Sequence, residues 1–79
     1  MKTDITYTKD TLIVNLSGIM KKKDINILKK KIYNIILDYG INNIIIDIKK
    51  ITLMDKDNFY HFLDDYDSRF KGYLEVKDN

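Results

Sequence analysis

The sequence predicts an α/β fold with the element order β-β-α-β-α-β, in which a mixed four-stranded sheet carries two helices on one face. Three observations support this prediction. Two short segments near the N-terminus alternate apolar and polar residues, residues 44–46 are three consecutive isoleucines, and two later segments repeat apolar residues every three or four positions. A strand–helix–strand connection is right-handed, so at least one pair of strands is expected to be parallel.

Composition is typical of one small folded domain spanning residues 1–79, with 44% hydrophobic and 33% charged residues. A chain of this size is expected to have a free energy of unfolding of about 3–5 kcal/mol. Cysteine is absent, and a net charge of +2 is too small to indicate nucleic-acid binding by itself. No signal peptide or membrane span is recognisable, so we expect a cytoplasmic location.

Two strands are predicted before the first helix. Residues 5–8 and residues 11–16 form a hairpin whose turn is made by Lys9 and Asp10. Gly18 is expected to close the second strand with a positive φ, and residues 19–23 to form a loop.

The first helix is predicted to begin at Asp24, its N-cap, and to end before Gly40, which takes a positive φ. One helix face is apolar and packs in the core, whereas the opposite face is basic. The apolar stripe consists of Ile25, Leu28, Ile32, Ile35, Ile36 and Tyr39. The opposite face carries Lys22, Lys29, Lys30 and Asn34.

A central strand is predicted at residues 44–48, followed by a connector at residues 49–54. Asp55 is the predicted N-cap of the second helix, and Asp57 lies in its first turn, where the helix dipole favours negative charge. Gly72 is expected to end this helix, and residues 73–76 form the last strand. The helix stripe consists of Phe59, Phe62, Leu63, Tyr66 and Phe70. The sheet face without helices is expected to be covered by loops or by another molecule.

No residue pattern indicates catalysis or metal binding. His61 is the only histidine, and no Ser or Cys pattern around it suggests a nucleophile–base pair. Asp57 and Asp65 lie four residues to either side of His61, an arrangement more often found on a solvated helix face. The aspartates at positions 64, 65 and 67 lack the glycine and terminal glutamate of a calcium loop. We therefore expect a protein that is not an enzyme and has no cofactor.

The sequence resembles the STAS domain, the family that includes the bacterial anti-sigma-factor antagonists. The resemblance lies in TLIVNLSG at residues 11–18 and INNIIIDIKKITLMD at residues 41–55, each followed by a predicted helix. Family members have a strand ending in L-x-G, a strand of the form I-I-I-D-L, and a turn D-S-S-G that opens the next helix. The spacing of Asp47 and Asp55 is the most specific part of the match. The resemblance implies a protein-interaction module of transcription regulation.

The turn departs from the family pattern, because the D-S-S-G positions read Asp55, Lys56, Asp57 and Asn58. The phosphorylatable serine is therefore replaced by lysine, and no hydroxyl is available for that switch. Family members often carry an acidic residue shortly after L-x-G, where Lys21 stands here. We expect a regulatory protein partner, such as an anti-sigma factor, to bind at these five residues and to present an acidic patch.

Two further expectations concern partners. STAS domains usually continue with another helix, strand and helix, whereas three residues follow the last predicted strand here. The outer edge of that strand, or the open sheet face, is therefore expected to support a homodimer or partner docking. The alternative function is a small, phage-like inhibitor or accessory protein that binds an acidic or nucleic-acid target through Lys22, Lys29 and Lys30 on the first helix.

Overall fold

The computed structural model describes residues 1–79 and has the predicted element order. The elements are β1 (Lys2–Thr8), β2 (Thr11–Met20), α1 (Lys22–Tyr39), β3 (Asn43–Met54), α2 (Lys56–Arg69) and β4 (Tyr73–Lys77). The strands form one sheet in the order β1-β2-β3-β4. The β1–β2 pair is antiparallel, and the β2–β3 and β3–β4 pairs are parallel. The mixed four-stranded sheet is therefore confirmed.

The hydrophobic core lies between one face of the sheet and the two helices. Val14 and Ile46 are paired in register at its centre, and both are completely buried. The helices contribute the remaining apolar side chains to this face. The buried residues are Leu12, Val14, Leu16, Met20, Ile25, Leu28, Ile32, Ile36, Ile41, Ile44, Ile46, Phe59, Phe62 and Tyr66. Side chains alternate along a strand, so Ile13 and Ile45, also in register, lie on the opposite face and are only half-buried. The cover expected on that face, from loops or from another molecule, stays a prediction.

Both parallel strands continue further than predicted. The loop expected at residues 19–23 and the connector expected at residues 49–54 are wrong, because β2 extends to Met20 and β3 to Met54. The two strands remain paired through two irregularities in register, after Asn15 and after Gly18. These bulges admit the extra residues of β3 without ending the ladder. Gly18 has a φ of 95°, as predicted, but it lies within β2 and does not close it.

Helix α1 begins three residues earlier than predicted. Lys21 is the N-cap, and Asp24 lies in the first turn, where its Oδ2 accepts a 2.9 Å hydrogen bond from the backbone N–H of Lys21. Asp24 therefore stabilises the helix start from inside the helix, as the acidic member of a capping box does. Gly40 ends the helix with a φ of 64°, as predicted. Tyr39, the last residue of the helix, lines an apolar pocket with Ile35 and Ile41 but is 75% exposed, so it lies at the edge of the apolar stripe and is not part of the core as predicted.

Helix α2 begins at its predicted cap, but it ends at Arg69 and not at Gly72 as predicted. The backbone N–H of Phe70 donates to Tyr66 O, and Phe70 is extended. Gly72 does not have a positive φ. A Cβ atom at Gly72 would lie 2.5 Å from the Tyr66 hydroxyl and 2.6 Å from the carbonyl oxygen of Asn42. Gly72 is therefore required because another part of the chain approaches its backbone closely.

Candidate partner-binding site at the two helix N-termini

The N-termini of both helices lie at the same end of the sheet. Met20 and Met54 are paired at the ends of β2 and β3, and the backbone N–H of Asp55 donates a 2.9 Å hydrogen bond to Met20 O. Lys21 follows Met20 directly, and Lys56 follows Asp55. Because parallel strands end at a common edge, this junction places the two predicted partner-binding lysines next to the same pair of strand ends.

Asp55 organises the first turn of α2 as an N-cap, as predicted. Its carboxylate accepts a 3.2 Å hydrogen bond from the backbone N–H of Asn58 and a 2.7 Å bond from the Asn58 side-chain amide. These bonds, first that from the side chain and then that from the backbone, lower the pKa of Asp55, and the charge of Lys22 acts in the same direction. Asp55 and Asn58 are half-buried, whereas Lys56 and Asp57 are exposed. Asp55 and Asn58 therefore hold the turn, and Lys56 and Asp57 are accessible to a partner.

Exposed lysine side chains carry positive charge at this end of the molecule. Asp55 caps the start of α2 through the backbone N–H of Asn58, whereas at the start of α1 Asp24 accepts from the backbone N–H of Lys21 and no side chain caps the helix. Lys21, Lys22 and Lys56 are exposed and make no salt bridge, since the ion pairs of the structure lie elsewhere. The arrangement can attract a carboxylate-bearing surface through flexible ammonium groups.

Exposed apolar side chains accompany these lysines, and the sequence did not predict them as part of the site. Ile19 and Leu53 are paired in register just beyond the second bulge, and they are 45% and 65% exposed. Tyr60, one turn into α2, is 57% exposed. The assignment of residues 19–23 and 49–54 to loops concealed this pair. Once residues 19–20 and 49–54 are recognised as strand, their register places Ile19 beside Leu53.

The residues considered for chemistry are not brought together. His61 is exposed, and Asp65 Oδ2 is occupied by Tyr33, Lys29 and Arg69. The structure contains no group of three or more His, Cys, Asp or Glu side chains arranged to hold a metal ion.

The predicted basic face of α1 is interrupted. Lys29 does not lie on the outer face: its Nζ is 3.1 Å from Asp65 Oδ2 on α2, and the side chain is half-buried. Its assignment beside Lys30 and Asn34 is therefore wrong. Lys22 and Lys30 remain exposed. The surface available to the alternative target is correspondingly smaller than the sequence suggested.

The fold defines the class of protein: a hairpin is followed by two strand–helix units, a capped turn opens the second helix, and this arrangement is a STAS-like fold. The structure is similar to the anti-sigma factor antagonist SpoIIAA in its unphosphorylated form, with a TM-score of 0.80 and 15% identity over 95% of this chain and 71% of that chain. It is also similar to part of Mglu, with a TM-score of 0.76 and 15% identity over 96% of this chain and 19% of that one.

At this level of identity the similarity shows the fold and leaves the function to be argued from the site. No protein-family model matches the chain, and no curated protein matches it in sequence. Neither helix is long and apolar enough to cross a membrane.

Proposed function

We propose that this chain is a non-enzymatic protein-interaction module that binds a regulatory protein partner at the N-terminus of α2. The binding residues are Asp55, Lys56, Asp57 and Asn58, with Lys21 beside them. One observation carries the proposal: the hydrogen bond from Asp55 N–H to Met20 O, which joins the two helix starts into one exposed edge. A cytoplasmic location and a role like that of an anti-sigma-factor antagonist remain predictions within this proposal.

The chemistry of the site favours an acidic partner surface. Lys56 stands where the resemblance places a phosphorylatable serine, and the turn of residues 55–58 contains no hydroxyl. Adding a phosphate is therefore not available here as a means of repelling a partner. Because neither Lys21 nor Lys56 carries a hydroxyl, binding is expected to be constitutive with respect to phosphorylation of this turn.

A comparative capture experiment tests the proposal. The tagged full chain, incubated with extract of the cells that produce it, is compared with Lys56→Glu and Lys21→Glu, and retained proteins are quantified by mass spectrometry. We expect a defined protein to be depleted at least about fivefold by each reversal, as for a contact of about 1 kcal/mol or more. The matched control is Lys71→Glu, an equal charge change at an exposed residue beyond the other end of α2. Equal retention by all four proteins would contradict the proposal.

The same experiment distinguishes the alternative target on α1. The alternative function predicts that binding is lost on Lys22→Glu and Lys30→Glu and is unaffected by Lys56→Glu. It also predicts that binding decreases steeply with added salt. We place the alternative function second because Lys29 is half-buried against α2 and is therefore less accessible to a target.

A further inference from the structure

Strand β3 has an open edge beside the proposed partner-binding site. The strand has 12 residues, but β4 pairs only with its first part, from Asn43 to Asp47. Beyond Asp47, residues 48–54 are paired with β2 on one side and with no strand on the other. Within this stretch the backbone N–H of Lys49 donates a 2.9 Å hydrogen bond to Asp47 Oδ1. An unpaired edge is a template for another extended segment.

A groove of about 450 Å³ lies along this open edge, between β3 and the start of α2. Its apolar lining includes Ile51, Leu53 and Tyr60. Leu53 and Tyr60 are 65% and 57% exposed, so both can bury further apolar surface against an incoming side chain.

The charges that line the groove favour an anionic occupant. Lys49 and Lys56 line it, and Asp78 is the only carboxylate among its lining residues. Lys49 is 3.3 Å from Asp47, whereas Lys56 has no salt-bridge partner. An approaching carboxylate would therefore find an unpaired ammonium at the α2 end of the groove.

We propose that a short acidic segment of the partner protein binds in this groove in extended conformation, alongside residues 50–54 of β3. Its backbone hydrogen-bonds to the open strand edge, one apolar side chain packs between Leu53 and Tyr60, and a flanking carboxylate meets Lys56. This mode of recognition extends a sheet by one strand, so backbone bonds supply affinity while alternate side chains supply specificity. The inference rests on the proposed function, because it specifies what the partner presents to the same end of the molecule.

The most acidic segment of a second copy of this chain is not extended. Its densest group of carboxylates, Asp64, Asp65 and Asp67, lies within α2 and is helical. Asp65 is additionally bound to Tyr33 on α1. We therefore assign the groove to a segment of a different protein, and a change of sedimentation with concentration that is lost in Leu53→Ala would instead indicate a second copy.

A titration followed by ¹⁵N–¹H NMR tests the inference with a defined probe. The labelled full chain is mixed with a pool of capped hexapeptides that carry Asp or Glu at both ends and two central positions drawn from Leu, Ile, Val and Phe. We expect saturable shift changes at residues 48–60. We also expect at least about fivefold weaker binding to Leu53→Ala and Tyr60→Ala, whose exposed side chains can be removed without a core cavity.

Two matched peptide pools separate the parts of the proposal. Replacing the carboxylates by amides should weaken binding by at least about fivefold, and methylating the central backbone nitrogens should remove it, because a methylated amide cannot pair with a strand. No shifts with the acidic pool at millimolar concentration, shifts confined to other surfaces, or full affinity of the methylated pool would each overturn the inference.

The proposed function and the groove inference can be tested independently of each other. If capture of the cellular partner depends on Lys21 and Lys56 but is unchanged by Leu53→Ala and Tyr60→Ala, the groove is not used and the proposed function stands. If capture is insensitive to all four residues, both proposals are overturned.

Discussion

The hydroxyl of Tyr33 donates a 2.7 Å hydrogen bond to Oδ2 of Asp65, 32 residues further along the chain, and so links α1 to α2. The same oxygen lies 3.1 Å from Lys29 Nζ and 3.0 Å from Arg69 Nε. The hydrogen bond from Tyr33 is the largest of the effects that lower the pKa of Asp65 to about 2. Burial, and then the bond to Asp65, raises the pKa of Tyr33 well above its usual value.

Asp65→Asn should flatten the dependence of stability on acid pH. The folded-state pKa of Asp65 is below its unfolded value of 3.8, so the stabilisation is complete above about pH 4 and is lost as pH decreases towards 2. Chemical unfolding measured from pH 2 to 7 should show a shallower acid decline for the variant, together with lower stability at pH 7. Asp64→Asn, an exposed neighbour without such partners, is the control. An unchanged acid decline in Asp65→Asn would contradict the prediction.

At alkaline pH the hydrogen bond between Tyr33 and Asp65 should make the free energy of unfolding decrease as pH rises. The pKa of Tyr33 is raised in the folded state. The stabilisation that its protonated hydroxyl gives the fold is therefore complete below the ordinary tyrosine pKa of 10.0 and decreases as pH rises above that value. Tyr33→Phe should therefore remove part of the alkaline decline in the free energy of unfolding. Tyr60→Phe, an exposed hydroxyl on α2, should leave that decline unchanged.

Asn58→Ala should raise the pKa of Asp55 towards its ordinary value. The Asn58 amide is the largest cause of the lowered pKa, and the backbone bond to residue 58 remains after the substitution. A carboxyl-carbon NMR titration should therefore show an intermediate pKa for Asp55 in the variant. No change in that pKa would mean that the 2.7 Å amide contact is not formed in solution.

Two glycines should respond differently to larger side chains. Gly72→Ala forces a Cβ against the Tyr66 hydroxyl and Asn42 carbonyl, and overpacking of this kind costs about 1–3 kcal/mol. Gly40→Ala meets no atom within 4 Å but keeps a φ of 64°, a left-handed conformation that costs about 1–2 kcal/mol for alanine. Asparagine tolerates that conformation, so Gly40→Asn should be nearly neutral and Gly72→Asn strongly destabilising in denaturant unfolding. Equal effects of asparagine at both sites would contradict this explanation.

Local patterns predicted the elements of this fold because each signal acts over a few residues. The spacing of Ile25, Leu28, Ile32 and Ile36 identified the buried face of α1, and Asp55 was recognisable as a cap from its position before an apolar stripe. Strand ends were not predictable in this way. Polar residues such as Lys49 and Lys50 look like a connector until β2 is known to pair beside them through a bulge.

The candidate site was predictable only in part for the same reason. Lys56 and Asp55 are contiguous in sequence, whereas Lys21 was placed beside them by resemblance and not by local pattern. The exposed pair Ile19 and Leu53 depends on register between distant strands. Gly72 was expected to end a helix, but a larger residue is excluded there by the close approach of Asn42. Asn42 is 30 residues away in sequence, so no local pattern could predict this contact.

The two central isoleucines of β3 test whether the open sheet face is covered in solution. Ile46 is completely buried under the helices, so Ile46→Ala should cost about 2–5 kcal/mol. Ile45 lies half-buried on the opposite face, where Ile45→Ala should cost about 1 kcal/mol or less in an uncovered monomer. The free energy of unfolding should be measured at two protein concentrations, alongside sedimentation velocity up to high micromolar concentration.

A homodimer through this face would make the wild type sediment faster as concentration rises, and Ile45→Lys would abolish that change. A dimer through the outer edge of β4 would persist in Ile45→Lys, and a monomer at every concentration would contradict self-association by either surface.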